Sequence, residues 1–434
     1  MATQPIPQFP AGFLWGVSTS AHQIEGAADL REPSVWDVFT GRPGRIKDGS
    51  TAAVACDHYH RYREDVALLA GLGVGAYRFS VSWPRVNSPG GLDFYDRLVD
   101  ELCAVGVRPV PTLFHWDLPV GLDWLERDTA ARFAEHAGRV AERLGDRVRK
   151  WITLNEPAEH TLLGHALGVH APGGQLLFDA LPVAHHQLLA HGLAVRALRA
   201  AGVADIGIAN SHGPTWPASP DPADVEAAEF YDVLLNRLFA DPVLLGAYPA
   251  GLGELMPGDV EADLKVIGEP VDWYGVNYYA PTKVGAPQGA EIEFGGVTMP
   301  AELPFSVREI EGVPVTDFGW PVVPEALTEL LTGFRERYGD RLPPVVITEN
   351  GCSYEGLDDQ DRIAYLDGHL RALHRATEAG VDVRGYFVWS LLDNFEWAEG
   401  YARRFGLVQV DFDTLERTPK ASYHWLRDVL RAQG

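Results

Sequence analysis

Short apolar runs rich in β-branched and aromatic residues alternate along the chain with longer segments whose apolar positions recur at helical spacing. Eight of the short runs read as strands: residues 13–19, 76–80, 108–113, 150–154, 206–210, 273–277, 345–348 and 385–389. Between them lie amphipathic segments such as 93–105, 129–144, 181–201, 324–338 and 361–379, each long enough to cross back over a sheet. Gly106, Gly202 and Gly380 each follow a helical run and precede a strand, which suits a left-handed helix C-cap. Eight such units predict an α/β fold, a single (β/α)8 TIM barrel spanning residues 1–434. No Ser-, Gly- or Pro-rich linker divides the chain. The least periodic stretch, 285–318, falls between strands six and seven and reads as a long loop or small excursion near the mouth of a site.

Composition narrows the function. The chain has 434 residues, a length one elaborated barrel can occupy, and 60 acidic against 36 basic residues give a net charge of -24. That charge repels phosphate backbones and anionic membranes, so nucleic acid and membrane surfaces are poor partners. No stretch approaches the roughly 18 consecutive apolar residues of a membrane span. The first residues show neither a basic nor an apolar signal region, and Cys56, Cys103 and Cys352 are widely spaced. A cytoplasmic protein with free thiols is the expectation, with no metal and no cofactor. Cys352, three residues after a candidate nucleophile, reads as an inert small side chain. A homo-oligomer is compatible with all of this.

A barrel presents its chemistry at the carboxyl ends of its strands, and polar or aromatic residues gather there. His115 follows strand three, Asn155 and Glu156 strand four, and Asn210 closes strand five. Asn277 and Tyr279 lie at the end of strand six, Glu349 after strand seven, and Trp389 closes strand eight. One such residue is commonly a turn former or cap; six strands ending this way point to a site. Glu156 and Glu349 come from strands three places apart, which sets two carboxylates across one pocket. Acetal hydrolysis needs that arrangement: one carboxyl protonates the departing oxygen, and the other attacks or supports the anomeric carbon. Metal chelation would call for more converging ligands than His115.

The motifs around these residues resemble glycoside hydrolase family 1, the family of β-glucosidases and β-galactosidases, over nearly the whole chain from Phe13 to Trp425. They are Phe13-Leu14-Trp15-Gly16 with Gln23-Ile24-Glu25-Gly26; Tyr77-Arg78-Phe79-Ser80-Val81-Ser82-Trp83-Pro84-Arg85; and His115-Trp116-Asp117-Leu118-Pro119. Next come Asn155-Glu156-Pro157, Val276-Asn277-Tyr278-Tyr279, Thr348-Glu349-Asn350-Gly351, and the run from Trp389 through Asp393, Asn394 and Glu396 to Trp397. The resemblance implies a retaining β-glycosidase, most simply a β-glucosidase acting on a β-glycoside or oligosaccharide. Glu349 would be the nucleophile and Glu156 the acid/base, with Arg78, Tyr279 and Asn277 serving the reaction. Arg78 is the nearest cation to favour an ionised Glu349, Tyr279 would hydrogen-bond it, and repulsion from Glu349 would keep Glu156 protonated until glycosylation removes the charge.

The resemblance also places Gln23, His115, Asn155, Glu396 and Trp397 around the sugar hydroxyls, with Trp389 as the stacking floor and Phe405, Asn210 and Trp320 as further substrate contacts. Glu396 would repel a 6-phosphate, and a carboxyl at 156 argues against the myrosinase branch. Transfer to an acceptor other than water, or a silent glycoside-binding barrel, is the alternative. Departures from the pattern are Ala158, where a larger residue is usual, and short stretches at 120–128 and 353–361. These predict an open leaving-group rim, unless residues 285–318 or a neighbouring subunit fill the gap.

Overall fold

In the computed structural model, which describes residues 5–294 and 297–434, the eight expected strands close a barrel. They are β1 (Leu14–Ser18), β2 (Ala76–Ser80), β3 (Arg108–Phe114), β4 (Lys150–Asn155), β5 (Asp205–Ser211), β6 (Trp273–Asn277), β7 (Val345–Asn350) and β8 (Val383–Trp389). Each runs parallel to its neighbours, and β8 pairs with β1. The anticipated helices form at Gly91–Ala104, Asp128–Leu144, Leu181–Ala200, Glu325–Tyr338 and Gln360–Glu378, with others at His58–Leu72 and Ala421–Gln433. The backbone is left-handed at Gly106, Gly202 and Gly380, with φ of 78°, 85° and 88°. Among the described residues no helix is long and apolar enough to cross a membrane.

The strand period of two decides what faces inward. One residue from each strand meets inside the barrel: Leu14, Ala76, Val110, Ile152, Ala209, Trp273, Val346 and Phe387 form a closed apolar plug. Residues an odd number of steps away, such as Tyr77, Leu113 and Ile206, belong instead to the core shared with the helices. The large Trp273 fits because its neighbour on β5 is Gly207, where a Cβ would lie 2.5 Å from the indole. The plug seals the barrel, so chemistry is confined to its carboxyl end.

Strict alternation from the plug would turn both Asn155 and Glu349 toward the helices. Two irregularities prevent this. β4 slips against β5 between Ile152 and Asn155, and β7 slips against β6 between Ile347 and Glu349. Bulges re-aim side chains in this way and concentrate beside active sites. Just beyond, the β7 and β8 ends approach so closely that a Cβ at Gly351 would fall 1.8 Å from the Trp389 carbonyl oxygen, which accounts for the glycine there.

The stretch 285–318 is a small excursion rather than a plain loop, the second of the two forms expected. It holds short strands at Ile292–Phe294, Val297–Met299 and Ser306–Arg308, the last pairing antiparallel with Thr282–Gly285, which in turn pairs with Thr215–Pro217. These rest on a satellite cluster of Ala227, Ala228, Val284, Leu303 and Phe305. Strands of three residues are too short to impose a readable period.

Trp273→Ala should leave a void at the centre of the plug, and loss of a buried Trp costs about 3–5 kcal/mol. Denaturant unfolding measures it; an unchanged midpoint would show that the plug does not carry the barrel's stability.

Candidate active site

Arg78 is fully buried on the inner face of β2, two residues beyond the plug position Ala76. Its guanidinium reaches three other strands. Nε donates to Thr112 Oγ1 on β3 at 3.1 Å, Nη1 to the Thr348 carbonyl at 3.1 Å and to Glu349 Oε1 on β7, and Nη2 to Asn155 Oδ1 on β4. Glu349 Oε2 accepts from the Tyr279 hydroxyl at 2.6 Å. Burying both members of an ion pair is costly unless geometry and further hydrogen bonds compensate; here both members have such partners.

Glu156 lies opposite in the same cavity, in a left-handed conformation with φ of 44°. Its Oε1 accepts from Asn277 Nδ2 at 2.8 Å, and Asn277 Oδ1 accepts from Thr348 Oγ1 at 2.6 Å. Burial pushes the Glu156 carboxyl well above the usual range, and the negative charges of Glu349 and then Glu159 push it further. Glu159, one helical turn on, was not anticipated from sequence, although a spacing of three from Glu156 places both carboxyls on one side of a turn. Burial raises its carboxyl too.

Hydrogen bonding fixes the orientation of Asn155. Its Oδ1 accepts from Arg78 and from Asn277 Nδ2 at 3.0 Å, so Nδ2 faces His115 Nε2, also at 3.0 Å. Burial, with Arg78 and His160 adding, holds the His115 imidazole well below its ordinary range. The neutral ring thus accepts at Nε2 and carries its proton on Nδ1, a buried donor on the cavity wall without a partner among the described residues.

Gln23 sits behind the wall rather than on it. Its Nε2 donates to Asn394 Oδ1 at 3.0 Å, the Phe395 carbonyl at 3.0 Å and Glu396 Oε2 at 3.3 Å. Burial first, then the Glu349 and Glu399 charges, push the Glu396 carboxyl up to about 8. That raises its protonated share near neutral pH and weakens charge repulsion of a 6-phosphate. The absence of any lysine or arginine among the described lining residues is the better reason to disfavour a phosphosugar.

The cavity encloses about 300 Å³ and is lined by Glu156, Glu349, Glu396, His115, Tyr279 and an aromatic set of Trp116, Trp320, Trp389, Trp397, Phe318 and Phe405. Trp116 and Trp397, like Glu156, have positive φ, 77° and 49°. Left-handed conformations in large residues cost of order 1–3 kcal/mol each and cluster at functional sites. On the outer side are Leu162, Leu163, Tyr231, Met299 and Val307, with Ser211, His212 and Asn236 as polar neighbours, none of them singled out beforehand.

Three expectations need correction. Asn210 does not line the cavity: its Nδ2 donates to the Tyr274 hydroxyl at 2.6 Å, pointing to the β5–β6 packing. Ala158 is buried and faces a different cavity, and no residue of 120–128 or 353–361 lies on the wall of this one. The 285–318 stretch reaches this wall, through Val297, Met299, Val307 and Phe318, as in the alternative to an open rim. Cys352 is buried, its thiol pushed up to about 12 by desolvation, as suits an inert side chain. Among the described residues no group of three or more His, Cys, Asp or Glu could hold a metal ion.

The family model for Glycosyl hydrolase family 1 matches residues 6–434. Beta-glucosidase A of Acetivibrio thermocellus is 43% identical, over 98% of this chain and 99% of its own length. Thermostable beta-glucosidase B of Thermobispora bispora is 45% identical over 98% and 91%. Among solved structures, a psychrophilic beta-glucosidase from Micrococcus antarcticus superposes with a TM-score of 0.93 at 44% identity, covering 99% of this chain and 100% of that one. The Thermotoga maritima beta-glucosidase in complex with deoxynojirimycin gives 0.91 at 41% identity, covering 98% and 99%. With a matching model over almost its whole length and relatives above 40% identity from end to end, the chain belongs to glycosyl hydrolase family 1.

Proposed function

We propose that the protein is a retaining β-glucosidase in which Glu349 is the nucleophile and Glu156 the acid/base. The observation that carries this reading is the contrast between two carboxyls in one cavity: Glu349 is paired with Arg78 and Tyr279, whereas Glu156 is pushed toward its protonated form by burial and by Glu349 itself. Double displacement requires that division of labour. Glu349 attacks the anomeric carbon as Glu156 gives its proton to the departing oxygen, leaving a glycosyl ester on Glu349. Esterification removes the Glu349 charge, which with burial had raised the Glu156 carboxyl, and the Glu156 carboxylate left by the first step then takes a proton from the attacking water.

His115 Nδ1 and Glu396 face the glucosyl hydroxyls, and the raised Glu396 carboxyl can donate as well as accept when protonated. Trp389 supplies a flat apolar face for the pyranose C–H groups. Gln23 and Asn155 act through Glu396 and His115. The named relatives, all β-glucosidases, support a glucose-like sugar. On the leaving-group side the apolar wall of Leu162, Leu163, Met299 and Val307 could seat an alcohol in place of water. That favours glycosyl transfer as the second reading, detected as new glycosides when alcohols are added. A cytoplasmic setting is supported by three unpaired cysteines, of which Cys103 is exposed.

Glu349→Gly should abolish hydrolysis of aryl β-glucosides, and azide or formate should restore it with an α-configured product, identified by NMR. An uncompromised variant would remove Glu349 from this role. Glu156→Ala should slow poor leaving groups by about 10²–10⁴-fold, the range expected of a general acid, while activated nitrophenyl glucosides lose far less in the glycosylation step. Equal losses across leaving groups would contradict the assignment.

A further inference from the structure

Leu162 and Leu235 line the active-site cavity, and the same two side chains line a second cavity of about 70 Å³ behind it. Both belong to π-helical turns, His160–Ala166 and Val233–Arg237, a rare backbone form found mostly at functional sites. The second cavity is also lined by Ala158, two residues past Glu156. Its wall is hydrocarbon apart from Thr161. That hydroxyl is already satisfied, donating to the Pro157 carbonyl at 2.7 Å and accepting from Gln187 Nε2 at 2.9 Å. At the far lip stand Phe178, 42% exposed, and Leu177, held at a φ of 48°.

A cavity without an unsatisfied polar group offers nothing to hold water or a second sugar, but gains from apolar surface. Leu162 and Leu235 form a wall common to it and the active-site cavity. We propose that it is a subsite for an aliphatic chain carried by the leaving group, entered between Leu162 and Leu235. The inference rests on the β-glucosidase reading and adds to it a preference for alkyl glucosides. The small side chains of Ala158 and Ala166 make the room, so they set this specificity.

The test is kcat/KM for methyl, butyl, hexyl and octyl β-glucosides, each below its micelle concentration. A fully buried methylene is worth up to about fourfold, so octyl should exceed butyl by roughly tenfold or more. Ala166→Phe, at a half-buried position, should flatten the series while leaving methyl β-glucoside within about twofold of the parent. Phe178→Asp puts a charge at the exposed lip and should lower octyl but not methyl turnover, whether or not Ala166→Phe folds. A series that is flat in the parent enzyme, or a rise that survives both substitutions, would overturn the subsite alone. Failure to hydrolyse any of the glucosides, methyl included, would overturn the glucosidase reading and the subsite with it.

Discussion

The site is organised by one buried cation. Arg78 has no access to solvent, yet its guanidinium donates to β3, β4 and β7 and pairs with Glu349. An unpaired charge at such depth would be prohibitive, so the ends of these strands must converge on it. That convergence brings Asn155 against His115 and aligns Asn277 with Glu156. The charge it holds in place on Glu349 then acts across the cavity on Glu156. Structure and proposed chemistry therefore depend on the same ion pair.

Much of this is legible in the order of residues. Long amphipathic segments and short apolar runs repeat eight times, and a period that persists over hundreds of residues leaves little choice of fold. Strand ends are legible for the same reason: Glu156, Asn277 and Glu349 follow apolar runs, and the barrel brings such positions to one rim. His115, Tyr279, Trp389, Glu396, Trp397, Trp320 and Phe405 are found on the cavity wall, while Gln23, Arg78, Asn155 and Asn277 brace it from behind.

What is not legible is how each side chain is aimed. Asn210 ends a strand just as Asn277 does, but β5 turns it toward Tyr274. Asn155 and Glu349 face inward through bulges that add a step to the strand without any marker in residue type. The left-handed backbones of Trp116, Glu156 and Trp397 are likewise unmarked, since such conformations in bulky residues persist only where tertiary packing over-determines them. The 285–318 stretch is placed at the mouth by its lack of period, but its three-residue strands, like Leu162 and Leu235 on π-helical turns, leave no periodic signature of how they line the cavity.

The central claim is that the charge on Glu349 holds the proton on Glu156. Titration of the Glu156 carboxyl by carbon-13 NMR, in the parent enzyme and in Glu349→Gln, tests it most directly. Burial and Glu159 remain in the variant, so the carboxyl should still titrate above the ordinary glutamate range, but at a clearly lower pH than in the parent. An unchanged titration would mean that burial alone holds the proton, and would contradict a mechanism in which glycosylation of Glu349 turns Glu156 from acid to base.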